Sequence, residues 1–272
     1  MIFLSHEIFY EPLISGMKQK GRIRIGISNV VVPGNKKSFP PAFQLKSRLH
    51  YYSSIFNTVE INSSFYRTPL LSTFEKWSTD VPDDFQFTVK ISKEITHVKD
   101  LETDLDLVKS FIAAASGTGD KKGCMLIQFP GKITLEHFGK VALILQELQQ
   151  QDPTDQWRKA IEFRDASWYT GETSELMDEY KAAIVLHDFA KAKVCNVMSK
   201  ADFVYIRFHG PKGDYKEGYT DEFLQLKAAD ISQWLNEGKD VYVYFNNTIG
   251  NAFENALTLK LLLEPKKYGQ AL

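Results

Sequence analysis

Glu60 and Glu162 each sit in a short apolar run with a second polar group two residues further on: TVEIN carries Glu60 and Asn62, and KAIEFR carries Glu162 and Arg164. Residues two apart in an extended strand share a face, so each pair projects one way while Val59, Ile61, Ile161 and Phe163 project the other. The same division recurs along the chain. FQFTVK sets Gln86, Thr88 and Lys90 against Phe85, Phe87 and Val89; FVYIRFHG sets Tyr205, Arg207 and His209 against Val204, Ile206 and Phe208; DVYVYFNN sets Tyr242, Tyr244 and Asn246 against Val241, Val243 and Phe245. Ser28 in IRIGIS, Gln128 in CMLIQF and His187 in AAIVLHD complete one polar set.

Carboxylates beside lysine, arginine and histidine suit acid/base chemistry on an anion. Glu60, Glu162 or Lys90 would exchange the proton, and Asn62, Gln128, Arg164, His187, Arg207, His209 and Asn246 would hold the substrate. Tyr66 and Trp168, just past strand ends, are expected to wall the pocket, whereas Phe65 is expected in the core. Glu162, one step below the barrel mouth, is expected to be solvated and to serve chemistry rather than stability. The competing reading is a buried ion-pair network that fills the interior, with Glu162 neutralised by Arg164 or Arg207. Apolar layers would fill that space at lower desolvation cost, which weighs against it for the whole cluster.

Parallel strands covered by helices usually read as near-continuous apolar runs, so polar residues at every second position call for a polar interior. Eight strand-like runs, beginning at Ile23, Thr58, Phe85, Cys124, Lys159, Ala182, Phe203 and Asp240, alternate with helix-like stretches. That alternation predicts a TIM-like (β/α)8 barrel of parallel strands over residues 21–272, preceded by an N-terminal extension over residues 1–20. An open doubly wound sheet is the alternative, and the Rossmann glycine fingerprint is missing. Thr134 and Thr220 are expected to cap helices, and Asn251 with Glu254 has capping-box spacing. In the barrel, the polar set gathers at the C-terminal ends of the strands.

The 272 residues carry 33 Lys+Arg against 34 Asp+Glu, a formal charge of −1, so any anion binding must be local rather than driven by a global basic field. Hydrophobic residues make up 43% and charged residues 25%, enough for a large core and unlike a disordered chain. Cys124 and Cys195 have no CxxC spacing and read as buried thiols of a reducing, cytoplasmic compartment. No basic n-region opens the chain and no apolar run approaches a membrane span, so no membrane partner is expected.

Glu60, Glu162, His187, Asp188 and His209 offer nitrogen and oxygen donors to a metal, but no HExxH spacing occurs and the nearby Lys and Arg oppose a divalent cation. No cofactor is therefore expected, with a divalent metal as the minor alternative. A GxSxG elbow and a Walker loop are both missing. These features favour an enzyme, a hydrolase, lyase or isomerase working by acid/base chemistry, on an anionic, phosphorylated or sugar-like small molecule. Phosphodiester binding or processing in nucleic acid is the alternative, followed by a non-catalytic ligand-binding module.

The segments FNTVEINSSFYRTP, FTVKISKEITH, LIQFP, IEFRDASW, YIRFHG and VYVYFNNT, in this order, closely resemble the YecE-like family, domain of unknown function 72. The resemblance spans about Gly26 to Lys260 and implies a TIM-barrel-like fold without an established activity. It places Glu60, Asn62, Phe65, Tyr66, Lys90, Glu162, Arg164, Trp168, Arg207, His209, Gly210, Asn246 and Asn247 on positions of the family's motifs. The first loop departs from the pattern: members usually follow the first-strand Gly and Ser with a Gly-Trp-Tyr-type segment, where this chain has Ser28-Asn29-Val30-Val31-Val32-Pro33.

Overall fold

The computed structural model describes residues 19–189 and 199–264. Its strands are β1 (Ile23–Ile27), β2 (Thr58–Ile61), β3 (Gln86–Lys90), β4 (Lys122–Phe129), β5 (Arg158–Phe163), β6 (Ala183–Ile184), β7 (Leu186–His187), β8 (Phe203–Phe208) and β9 (Asp240–Phe245). All eight runs read from the sequence form strands, the sixth divided in two at Val185. They make two parallel sheets, one of four strands in the order β1-β9-β8-β7 and one of five in the order β2-β3-β4-β5-β6. The expected N-terminal extension lies almost wholly outside the described residues, as does Cys195. Among the described residues no helix is long and apolar enough to cross a membrane.

The period-two division sorts the side chains of each strand. Val204, Ile206 and Phe208 of β8, Val241, Val243 and Phe245 of β9, and Ile161 and Phe163 of β5 join the large core shared with the helices. Cys124, Leu126, Ala160, Tyr205, Tyr242 and Tyr244, of opposite parity, form a second cluster between the sheets. Hydrogen bonds tie the sheets together there: the Tyr244 hydroxyl lies 2.7 Å from both Thr58 Oγ1 and Thr88 Oγ1, and the Tyr242 hydroxyl donates to Gln86 Oε1 at 2.8 Å. A phenol buried among apolar groups needs such a partner, since an unpaired hydroxyl costs about 1–3 kcal/mol.

Two seams join the sheets. At the first, Ser28 and Glu60 form a parallel bridge and Asn29 N donates to Glu60 O at 2.7 Å. Gly26 permits this approach, because a Cβ there would stand 2.3 Å from Thr58 O. At the second, the chain itself passes from β6 to β7, and Val185 N donates to Ile161 O at 2.8 Å.

Thr220 caps the helix Asp221–Asn236 by accepting from Phe223 N, as its position predicted. Two caps read from the sequence are not made. Thr134 opens a 3-10 turn, Leu135–His137, without a side-chain hydrogen bond, and Asn251 precedes the helix Ala252–Leu263 without one. The Asn251 backbone N–H is instead taken by Glu217 O of a neighbouring loop, so tertiary contact displaces the local motif.

Candidate functional site

Because every paired strand is parallel, the residues at their C-terminal ends come from one side of the molecule. Lys90, Gln128 and Arg207 stand at or just before the ends of β3, β4 and β8, and Asn29, Asn62, Arg164 and Asn246 just past the ends of β1, β2, β5 and β9. Together with Phe65, Tyr66 and Tyr215 they line a cavity of about 220 Å³. A larger hollow of about 540 Å³ opens at the other end of the strands, beside Arg158 and Phe203. Its ions are spent on one another, Lys159 and Lys181 on Asp155, Lys200 on Asp178 and Arg158 on Asp202, so it offers a ligand little free charge.

Beneath the smaller cavity runs a chain of charge-assisted bonds. Ser28 Oγ and Arg207 Nη2 donate to Glu60 Oε1 at 2.6 and 2.8 Å, and the Tyr205 hydroxyl donates to Glu60 Oε2 at 2.6 Å. Arg207 Nη1 donates to Glu162 Oε2 at 2.7 Å, and Arg164 Nε donates to Glu162 Oε1. Both glutamates are 0% exposed and Arg207 is 1% exposed. Burial alone would raise the Glu60 carboxyl, but the Arg207 charge and its three donors overcome this and hold it below the usual range. Glu162 behaves likewise, with Arg207 and Arg164 outweighing burial and holding it well below that range.

Glu162, expected to be solvated, is sealed from solvent, and Glu60, the other glutamate expected to exchange a proton, is sealed as well. Their carboxylates are favoured in the ionised form and anchor Arg207 and Arg164, one layer below the residues that line the cavity. The competing reading of the sequence, a buried network around Glu162, describes that layer correctly.

Lys90 differs from them. It lines the cavity, donates to Gln128 Oε1 at 2.7 Å, and places Nζ 4.1 Å from the centre of the Phe65 ring. Phe65 is thus corrected from core residue to pocket wall. Burial, and after it the Arg207 charge, pushes the Lys90 ammonium down to about 8. Gln128 Nε2 approaches His97 Nε2 at 3.4 Å, and His97 is pushed down to about 4 by burial and then by the Lys90 charge, so its ring is neutral near pH 7.

Arg164 is oriented by a second chain. Its Nη2 donates to His209 Nε2 at 3.1 Å, and because guanidinium has no acceptor, His209 Nε2 carries no proton. Nδ1 therefore holds the ring proton and donates to Asp188 Oδ1 at 3.2 Å, while Asp188 also takes the Tyr219 hydroxyl. Burial lowers the His209 pKa in keeping with this neutral tautomer. His209 is buried behind Arg164 and does not line the cavity, which corrects its reading as a direct anion ligand.

Three further residues leave the predicted pocket. Trp168 is 0% exposed, stacked 4.2 Å from Phe163, and donates Nε1 to Ile133 O at 2.7 Å. His187 is buried with Nε2 near the Tyr169 hydroxyl and Phe163 O, and its Nδ1 accepts from Phe189 N. Asn247 is buried and donates to Glu217 O and Asn255 Oδ1, holding loops rather than ligand. Trp168 was read from its place just past a strand end and Asn247 from its place in a family motif, and neither fixes which way a side chain turns. Tyr66, 70% exposed, does wall the cavity.

The sequence reading missed Asn29 and Tyr215 as pocket residues. Both have positive φ, 68° and 67°, the conformation of tight loops. Asn29 Oδ1 accepts from Asn62 N at 3.2 Å, so the atypical first loop still supplies a wall. Asn62 Oδ1 and Arg207 Nε, on two of the lining residues, are buried without a protein partner among the described residues. No group of three or more His, Cys, Asp or Glu among the described residues is arranged to hold a metal ion.

A sequence model of the family described as "Protein of unknown function DUF72" matches residues 24–271. The chain belongs to the DUF72 family. The UPF0759 protein YunF of Bacillus subtilis is similar to this DUF72 chain at 28% identity over 264 residues, covering 86% of this chain and 92% of YunF. The UPF0759 protein YecE of Escherichia coli K12 is 32% identical over 82 residues, 30% of each chain. The crystal structure of a DUF72 protein of Enterococcus faecalis V583 superposes with a TM-score of 0.75 at 20% identity, covering 92% of this chain and 99% of that one. A DUF72 protein of Thermotoga maritima MSB8 does so with a TM-score of 0.67 at 25% identity, over 90% and 100%. These likenesses support the α/β fold with its parallel sheets; none of the names states a substrate or a reaction.

Proposed function

We propose that this DUF72 protein is an enzyme acting on a small anionic molecule, carboxylated or phosphorylated, in the cavity at the C-terminal ends of its strands. The distribution of charge carries this reading. Lys90, Arg164 and Arg207 line the cavity, while the carboxylates that offset them, Glu60 and Glu162, lie beneath it and are fully buried. Three cations against two carboxylates leave one positive charge in excess, and an entering anion meets the donors first. A volume of about 220 Å³ corresponds to roughly seven water molecules, which suits a ligand of a few heavy atoms.

In this account Arg164, Asn62 and Asn246 orient the anion, and Lys90 exchanges the proton, since an amine near pH 8 has both forms available at neutral pH. Glu60 and Glu162 are positioning residues acting through the arginines. We further propose that the two sheets close into one TIM-like barrel, with β6 and β7 as a single interrupted strand. The Ser28–Glu60 bridge, the Val185 crossover and the hydrogen bonds between the sheets support closure. The buried Cys124 thiol accords with a cytoplasmic location.

The test is a thermal-denaturation panel of small carboxylates and phosphomonoesters on the full chain. A true ligand at 100 times its Kd should raise the Tm by about 5 °C, and Arg164→Gln should abolish the rise. Neutral sugars shifting the Tm as far as the anions would overturn the reading.

A further inference from the structure

Lys90 is the one lysine among the described residues that line the cavity, and its polar contact there is neutral. Glu60 is taken by Ser28, Tyr205 and Arg207, and Glu162 by Arg207 and Arg164, so neither carboxylate is turned to the ammonium. A carboxylate partner would hold the amine charged, whereas the Gln128 amide accepts from it without opposing loss of the proton. The Phe65 ring covers one side of Nζ at 4.1 Å, and the cavity opens on another.

We propose that Lys90 Nζ is a nucleophile that condenses with a small carbonyl compound bearing an anionic group, forming an imine while Arg164 and Asn246 hold that group. This rests on the reading of the cavity as an anion site and names its substrate class. Burial and the neighbouring Arg207 charge, which lower the amine to about 8 against the pull of Glu162 and Glu60, keep a reactive fraction of free amine near neutral pH. The Arg164 charge adds to the lowering.

The step balances without an oxidant. The nitrogen lone pair adds to the carbonyl carbon and the carbonyl π pair moves to oxygen. The two amine protons end on that oxygen, which departs as water as C=N forms. Two atoms on the cavity's lining residues have no protein partner among the described residues and match the needs of the intermediate. Arg207 Nε is a buried donor and suits the oxygen while it is anionic; Asn62 Oδ1 is a buried acceptor and suits it as a hydroxyl.

Glyoxylate with cyanoborohydride at pH 7 tests this on the full chain, the label being mapped by peptide mass spectrometry. Lys90 should be alkylated about tenfold faster than the exposed Lys36 and Lys37, through its larger free-amine fraction less its lower nucleophilicity. Sulfate in excess should slow labelling of Lys90 alone. Labelling of Lys90 at the pace of Lys36 would overturn the proposal. Glycolate, which has the carboxylate but no carbonyl carbon, separates the two ways of failing. If glycolate binds by calorimetry and Lys90 stays unlabelled, the imine step is wrong and the anion site stands. If glycolate does not bind and Lys90 stays unlabelled, both are wrong.

Discussion

Arg207 Nη1 and Glu162 Oε2 meet at 2.7 Å across the space between the two sheets, Arg207 from β8 and Glu162 from β5, with neither side chain open to solvent. An ion pair at that depth gains Coulomb energy only by first losing the hydration of both partners. Its net contribution to stability is therefore small, but removing one partner strands the other.

Glu162→Gln should accordingly destabilise the fold by about 3–5 kcal/mol, seen as a lower urea midpoint at unchanged m-value. A loss below about 1 kcal/mol would mean that water reaches Arg207 in the folded protein and that the layer is not sealed.

Trp168→Ala should cost about 3–5 kcal/mol as a cavity in the core, while leaving anion affinity unchanged below the melting transition. Its ring packs against Phe163 and Phe138, away from the cavity. A drop in affinity with stability intact would return Trp168 to the pocket wall.

The strands were legible because alternation is a local signal: Val59, Ile61, Ile161 and Phe163 face the helices and Glu60 and Glu162 face inward, as their spacing required. The place of Glu162 one step below the mouth was legible too, but the sealing of that layer was not. Parity states which face a residue takes and says nothing of the Arg207 side chain lying over both glutamates. Asn29 and Tyr215 escaped notice because positive-φ loop geometry carries no periodicity, and His187 was misplaced because its bonds to Tyr169 and Phe163 O depend on tertiary approach. Whether two sheets close on each other is likewise absent from any strand's own pattern.

The lowered pKa of Lys90 sets a pH dependence of stability with a definite sign. With the folded-state value near 8 and the unfolded one about 10.4, the unfolded chain binds more protons between them, so Lys90 makes stability rise with pH across that window. Lys90→Met removes this contribution. The stability of wild type relative to Lys90→Met should therefore grow from pH 8 to pH 10 in urea titrations. A constant difference would mean that Lys90 is solvated and titrates as in the unfolded chain.

Sulfate titrated calorimetrically into the full chain tests the central claim most directly, because its charge does not change over the pH range in which Lys90 titrates. The account predicts binding at pH 7 that weakens about tenfold in Lys90→Met, the worth of one charge-assisted hydrogen bond, and weakens in wild type as the pH rises past 8. Heat indistinguishable from dilution at tens of millimolar sulfate, or an affinity indifferent to Lys90→Met and Arg164→Gln, would contradict an anion site in this cavity.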